Sequence, residues 1–326
     1  MKEAWKSMHR DQRTRLYWSL CHLAVATYIF FKSEGSQATM ALSHLVFFDA
    51  GSAAVCVAVD VLGNFEVWKR SSIRHPFGLE RAEVLTGFAM SVFLLFGGFD
   101  LVSHNLKHFL ESVGSHEAHH EHVHSHISSG SIDLTALVAI ATSVVSAYGL
   151  RNHARIAKVM RVSYLAALPS ILSNPFHFLT IFFSALIAFL PMLSITLYTW
   201  LDRLICATIS LAMFTLGMRL AVAQGLMLLM SYGGHGGNKG VSSVLREIES
   251  DSSIIRVEDA QFWQVHYGLC MASLKLSVDR GFDETALGKL RSRISSLIQN
   301  RLGEGYGNGG SVRWEVTLQT TADQVS

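Results

Sequence analysis

Asp49 lies inside an apolar run, in HLVFFDAGS. An unpaired aspartate deep in a membrane-spanning helix costs about 2.5–3.5 kcal/mol. Either an ion that it ligates or a polar partner on a neighbouring helix is expected to offset that cost. Asp60, nearer the end of the same run, can reach interfacial water and reads as structural. A second group is the tract Ser115 to His126, SHEAHHEHVHSH, which sets His116, His119, His120, His122, His124 and His126 beside Glu117 and Glu121. Neutral imidazoles at such density capture Zn²⁺ loosely, without the fixed spacing of a closed tetrahedral site. A solvated polar loop is the alternative, and protonation in an acidic compartment would loosen any capture. Asp100, His104 and His108 recur every four residues and share one helix face. They form either a vestibule for an ion or an interfacial helix end.

Holding such groups away from water takes a membrane, and the composition agrees: 50% of the 326 residues are hydrophobic and 16% charged. Six segments approach the roughly 20 apolar residues that a spanning helix needs: 16–31, 38–63, 82–110, 132–150, 162–190 and 203–230. Lys69, Arg70, Arg74 and Arg81 follow the second, and Arg151, Arg155, Lys158 and Arg161 follow the fourth. No Lys or Arg lies between Glu111 and Ser131. Basic loops face the cytosol, which puts both termini there and the histidine tract, 115–126, on the luminal side. Residues 1–15 are then a cytosolic segment running into the first span without a removable signal, and 16–230 a six-helix transmembrane domain. Pro169 and Pro175 each remove an intrahelical hydrogen bond. They either frame a broken helix at a binding site or serve packing alone. The basic residues form no single stripe, so the charge itself argues neither for nor against nucleic acid; membrane lipid is an expected partner and nucleic acid is not. Cys21, Cys56, Cys206 and Cys270 have no disulfide or zinc-site spacing.

Beyond the spans, SYGGHGGNKG (231–240) reads as a glycine-rich linker. Residues 241–320 then read as a separate cytosolic α+β domain, with 321–326 as a tail. Val244, Leu245 and Ile248 suit a short helix. The stretches Ile255 to Val265 and Leu269 to Val278 suit a strand pair. Leu287, Leu290, Ile294, Leu297, Ile298 and Leu302 recur at helical spacing, and Val312, Trp314, Val316 and Leu318 alternate. The order α-β-β-α-β predicts helices over one sheet.

On these residues the chain resembles the cation diffusion facilitators, a family of zinc transporters. HPFGLERAEVLTGF (His75 to Phe88) is similar to the family's Y-x-F-G-x-x-R-x-E-V-L stretch, matching at Phe77, Gly78, Arg81, Glu83, Val84 and Leu85. In the tail, VEDAQFWQVHYGLCMASLKL (Val257 to Leu276) resembles the first two strands of the family's metallochaperone-like domain. The likeness extends over nearly the whole chain after about residue 15.

The resemblance implies a transport site of four ligands in two pairs, each pair one helical turn apart. Those positions fall on Leu45 and Asp49 in the second span and on Ser170 and Asn174 in the fifth. Only Asp49 is a strong zinc ligand; Leu45, Ser170 and Asn174 are degenerate. His44 and His177 are the alternative ligands of a rearranged site. In the tail, Gln261 stands where the family places a histidine before Phe262 and Trp263, which leaves those two rings as core or dimer-interface residues.

A family frame with defective sites resembles the non-transporting heterodimer partners of the early secretory pathway, notably the fungal endoplasmic-reticulum zinc-regulated type, in the stretch Arg256 to Trp263. The resemblance therefore implies no enzyme and no tightly bound cofactor, with Zn²⁺ transported or loosely bound. The expected role is zinc transport into the lumen of the endoplasmic reticulum or Golgi, in a heterodimer with a transport-competent subunit. An autonomous zinc/proton antiporter and a membrane zinc-binding regulator are the alternatives.

Overall fold

The computed structural model describes residues 2–33, 36–69, 71–74, 76–78, 80–114, 134–150, 175–190, 199–233, 237–279, 283–303 and 312–323. They divide into two compact units, 1–70 with 86–221, and 71–85 with 222–326.

The first unit is helical. A short α1 (Lys2–Ser7) precedes α2 (Arg10–Lys32), α3 (Gln37–Leu62) and a single turn, α4 (Glu66–Lys69). Then come α5 (Arg81–Gly114), whose first turn belongs to the second unit, α6 (Leu134–Leu150), α7 (Pro175–Phe189) and α8 (Thr199–Leu228). Among the described residues, three helices are long and apolar enough to cross a membrane: Gln37–Leu62, Arg81–Lys107 and Trp200–Leu228. Apolar stretches in α6 and α7 are shorter. The first expected span lies within α2, whose ends carry Arg10, Asp11, Arg13, Arg15 and Lys32. Residues 162–174 of the expected fifth span, with Pro169, lie outside the described residues, and the described helix begins at Pro175.

The ends of these helices are tied by polar side chains. Gln12 and Asn64 exchange amide hydrogen bonds of 3.1 and 2.7 Å, joining the start of α2 to the end of α3. Asp60 pairs with Arg15 at 3.3 Å, tying the two helices by charge. At the other end Ser36 caps α3, accepting from the Thr39 N–H. Asp202 of α8 accepts from the Ser36 hydroxyl and from the N–H groups of Gln37 and Ala38 at 2.7–3.1 Å. Small residues let α5 and α8 approach closely: a Cβ on Gly98 would come within 3.1 Å of the Phe214 nitrogen, and one on Gly217 within 3.1 Å of the Leu95 nitrogen. The core is apolar and shared by α2, α3, α5, α6, α7 and α8. Phe93, Phe96 and Phe99 of α5 and Trp200, Leu204 and Leu211 of α8 face outward, an apolar surface suited to lipid.

In the second unit, α9 (Gly237–Glu249) begins inside the stretch that the sequence suggests as linker. Strand β1 (Ile254–His266) turns into β2 (Leu269–Asp279), α10 (Glu284–Leu302) crosses over, and β3 (Arg313–Asp323) completes the sheet. The order is β1-β2-β3, with the first pair antiparallel and the second parallel. A two-residue turn permits the first pairing, and the helical crossover is what the parallel one requires. Ala272, Leu274, Leu276 and Val278 of β2 are buried with Leu290, Ile294 and Ile298 of α10. Gln299 joins α10 to β3, donating to the Val312 carbonyl and accepting from the Trp314 N–H, both at 2.9 Å.

The ends of α5 and α8 in this unit meet the sheet through specific contacts. Arg81 donates to the Leu228 carbonyl at 3.1 Å, in the last turn of α8. Glu80 pairs with His266 at 3.0 Å. Tyr232 packs edge-on against Trp314, with centroids 5.2 Å apart.

A buried aspartate–histidine cluster as the candidate metal centre

Helix α3 buries 14 of its 26 residues and carries only two charged side chains, Asp49 and Asp60. Asp49 is 3% exposed, and one turn earlier Leu45 is 0% exposed. Residues four apart lie on one face, so Leu45 fills with hydrocarbon the place beside Asp49 that the family resemblance gives to a ligand. Its neighbours Leu42 and Val46 belong to the same apolar core.

His177 of α7 lies on a face shared with Thr180 and Ser184, all buried. Its Nδ1 is 3.2 Å from Asp49 Oδ2. A third side chain joins from α2, whose buried face is Ser19, His22, Ala26 and Ile29. Its His22 Nε2 is 3.9 Å from the same carboxylate oxygen. Three helices thus bring two imidazoles to one carboxylate. His22 has no hydrogen-bond partner at either ring nitrogen. Among the described residues no group of three or more His, Cys, Asp or Glu side chains forms a ready-made metal cage.

His177 therefore reaches Asp49, and His44 does not. Five residues along a helix is a rotation of about 140°, which turns His44 away from the Asp49 face. Its Nδ1 lies 2.9 Å from the Met40 carbonyl, and its ring meets Phe30 edge-on. Ser170, Asn174 and the histidines of the tract, His116, His119, His120, His122, His124 and His126, lie outside the described residues. Asp100 and His104 are exposed on α5. In the tail Gln261 is exposed and donates to Asp259 at 3.2 Å. Phe262 packs against Trp314, with centroids 6.0 Å apart.

His22 is the residue that sequence reasoning missed. It is 27 positions from Asp49 (49 − 22) and belongs to no spaced pair. The available signal was the small-residue face Ser19, His22, Ala26, on which a histidine without water needs a partner.

The sequence of the matched motif acquires physical meaning in the structure. Gly78 has φ 62°, which a Cβ disfavours. Arg81 sits at the α8 C-terminus, where a cation meets the exposed carbonyls. Val84 is fully buried.

Comparison with known proteins agrees with this frame. A sequence model of the cation efflux transmembrane domain matches residues 19–229. The "Probable zinc transporter zrg17" of Schizosaccharomyces pombe is 26% identical over 323 residues, covering 97% of this chain and 77% of that protein. "Protein ZRG17" of Saccharomyces cerevisiae is 28% identical over 202 residues, 59% of this chain and 33% of its own. "Zinc transporter 6" of Xenopus tropicalis is 23% identical over 292 residues, 82% of this chain and 59% of its own. With the family domain matched along the helices that build the cluster, the chain belongs to the cation efflux family.

Proposed function

We propose that this chain takes part in zinc transport into the lumen of the early secretory pathway, as a partner subunit whose own four-ligand transport site is incomplete. The observation that carries this reading is Leu45, sealed in the apolar core one turn from Asp49. A zinc cage built from two i, i+4 pairs needs a donor there, and a leucine side chain offers none. The names of the relatives supply the ion: a probable zinc transporter and a zinc transporter 6 are among them. In this arrangement the six spans put both termini in the cytosol, and a transport-competent family member provides the complete site.

One observation favours a second reading. The approach of His177 to Asp49 at 3.2 Å supplies two donors of a rearranged site, as an autonomous zinc/proton exchanger would need. Flux separates the two. The purified chain in liposomes is expected to move no zinc alone, and to support zinc uptake when co-reconstituted with a family member that has all four ligands. Uptake by the chain alone would replace the first reading with the second.

A further inference from the structure

We propose that His22, Asp49 and His177 hold one resident divalent cation of the zinc class, at the point inside the bundle where α2, α3 and α7 meet. Two of these ligands lie outside the family's four positions, and the subunit reading itself needs no ion in this chain.

The distances carry the argument. Zinc binds imidazole nitrogen and carboxylate oxygen at about 2.0–2.2 Å, so two ligand atoms of a tetrahedral ion stand about 3.3–3.5 Å apart. His177 Nδ1 and Asp49 Oδ2 are 3.2 Å apart, and His22 Nε2 and Asp49 Oδ2 are 3.9 Å apart. One pair is thus at ligand spacing, and the other is wide by about 0.5 Å, a shift within reach of a small imidazole rotation. Two nitrogens and one oxygen suit zinc or cobalt; calcium and magnesium take oxygen ligands. A fourth position for water gives the three-ligand form known from open zinc sites.

Pairing between His177 and Asp49 leaves His22 unexplained. A neutral imidazole carries one donor and one acceptor, yet neither nitrogen of His22 has a hydrogen-bond partner, and the residue is 2% exposed. Buried polar atoms in that condition call for a ligand. The ion is resident rather than cargo because its ligands come from three helices and are each almost wholly enclosed. Releasing it would require α2, α3 and α7 to part.

The test uses the full chain in detergent with the six tract histidines, His116 to His126, replaced by alanine. Zn²⁺ binding is measured by competition with a chromophoric chelator, and Co²⁺ is added as a spectroscopic probe. The expected result is one ion per chain and the visible bands of four-coordinate Co²⁺. His22→Gln and His177→Gln should each weaken binding by at least about 10-fold, against no change in His44→Gln. Unaltered affinity in His22→Gln would overturn the proposal. If the variants do not fold, the parent chain decides: no bound ion, or a six-coordinate Co²⁺ spectrum, overturns it equally. Flux with a partner is measured separately, so failure here leaves the subunit reading standing, and flux by the chain alone leaves this site standing.

Discussion

Asp202 closes the N-terminus of α3 from another helix, accepting two backbone N–H groups and the Ser36 hydroxyl. A carboxylate there meets both the unpaired donors and the positive end of the helix. The other end of α8 is less comfortable. Met230 closes it with φ 59°, the Ser231 N–H bonding to the Leu226 carbonyl at 2.8 Å and the Met230 N–H to the Met227 carbonyl at 3.1 Å. That pattern favours glycine at the left-handed position. Met230→Gly is therefore expected to stabilise the chain by about 1 kcal/mol, read as a higher midpoint of thermal unfolding in detergent. Single residues were unevenly legible in the sequence. Asp49 declared itself because a charge amid apolar residues needs a reason, whereas His22 and Asp202 act across 27 and more than 160 residues with no spacing to announce them.

At the scale of elements, the α5–α8 contact and the tail helix make opposite demands on glycine. Gly217→Ala would press a methyl against the Leu95 backbone and is expected to cost about 1–3 kcal/mol. Gly288→Ala, exposed within α10 and open around its Cα, should instead stabilise by about 0.8–1 kcal/mol. Comparing the two midpoints with that of the parent chain checks both signs. Across the sheet, Glu258 of β1 meets Lys275 of β2 at 2.7 Å and Thr321 of β3 at 3.0 Å. The hydrogen bond from Lys275, then that from Thr321, holds its carboxyl below the usual glutamate range. A lowered carboxyl contributes stability above its unfolded value of about 4.3, and that contribution fades as pH falls through its folded value. The parent chain should therefore be more stable than Glu258→Gln at pH 7, with the difference shrinking below about pH 4.3. The elements themselves were readable where one period dominated. Leu274, Leu276 and Val278 alternate as one face of β2, and Leu290, Ile294 and Ile298 recur as the buried stripe of α10. The parallel pairing of β2 with β3 was not readable, since the α10 crossover sets it. Nor was the helical state of Gly237 to Gly240, which continue into the helix whose Val244 and Ile248 pack into the core of the tail.

For the whole molecule, the cation efflux frame and the small sheet follow from patterns that the chain carries locally. The fate of the transport site depends on which side chains the bundle brings together. Leu45 makes one family position apolar, and His22 with His177 gives Asp49 different company. On the proposed reading, a chain built this way keeps the fold of a carrier and would rely on a second subunit for the complete cage. Zinc uptake into liposomes tests that most directly, with the chain alone compared against the chain beside a four-ligand family member. The expected result is uptake only when both are present, above that of the partner alone. Zinc uptake by the chain alone at the paired rate would contradict it.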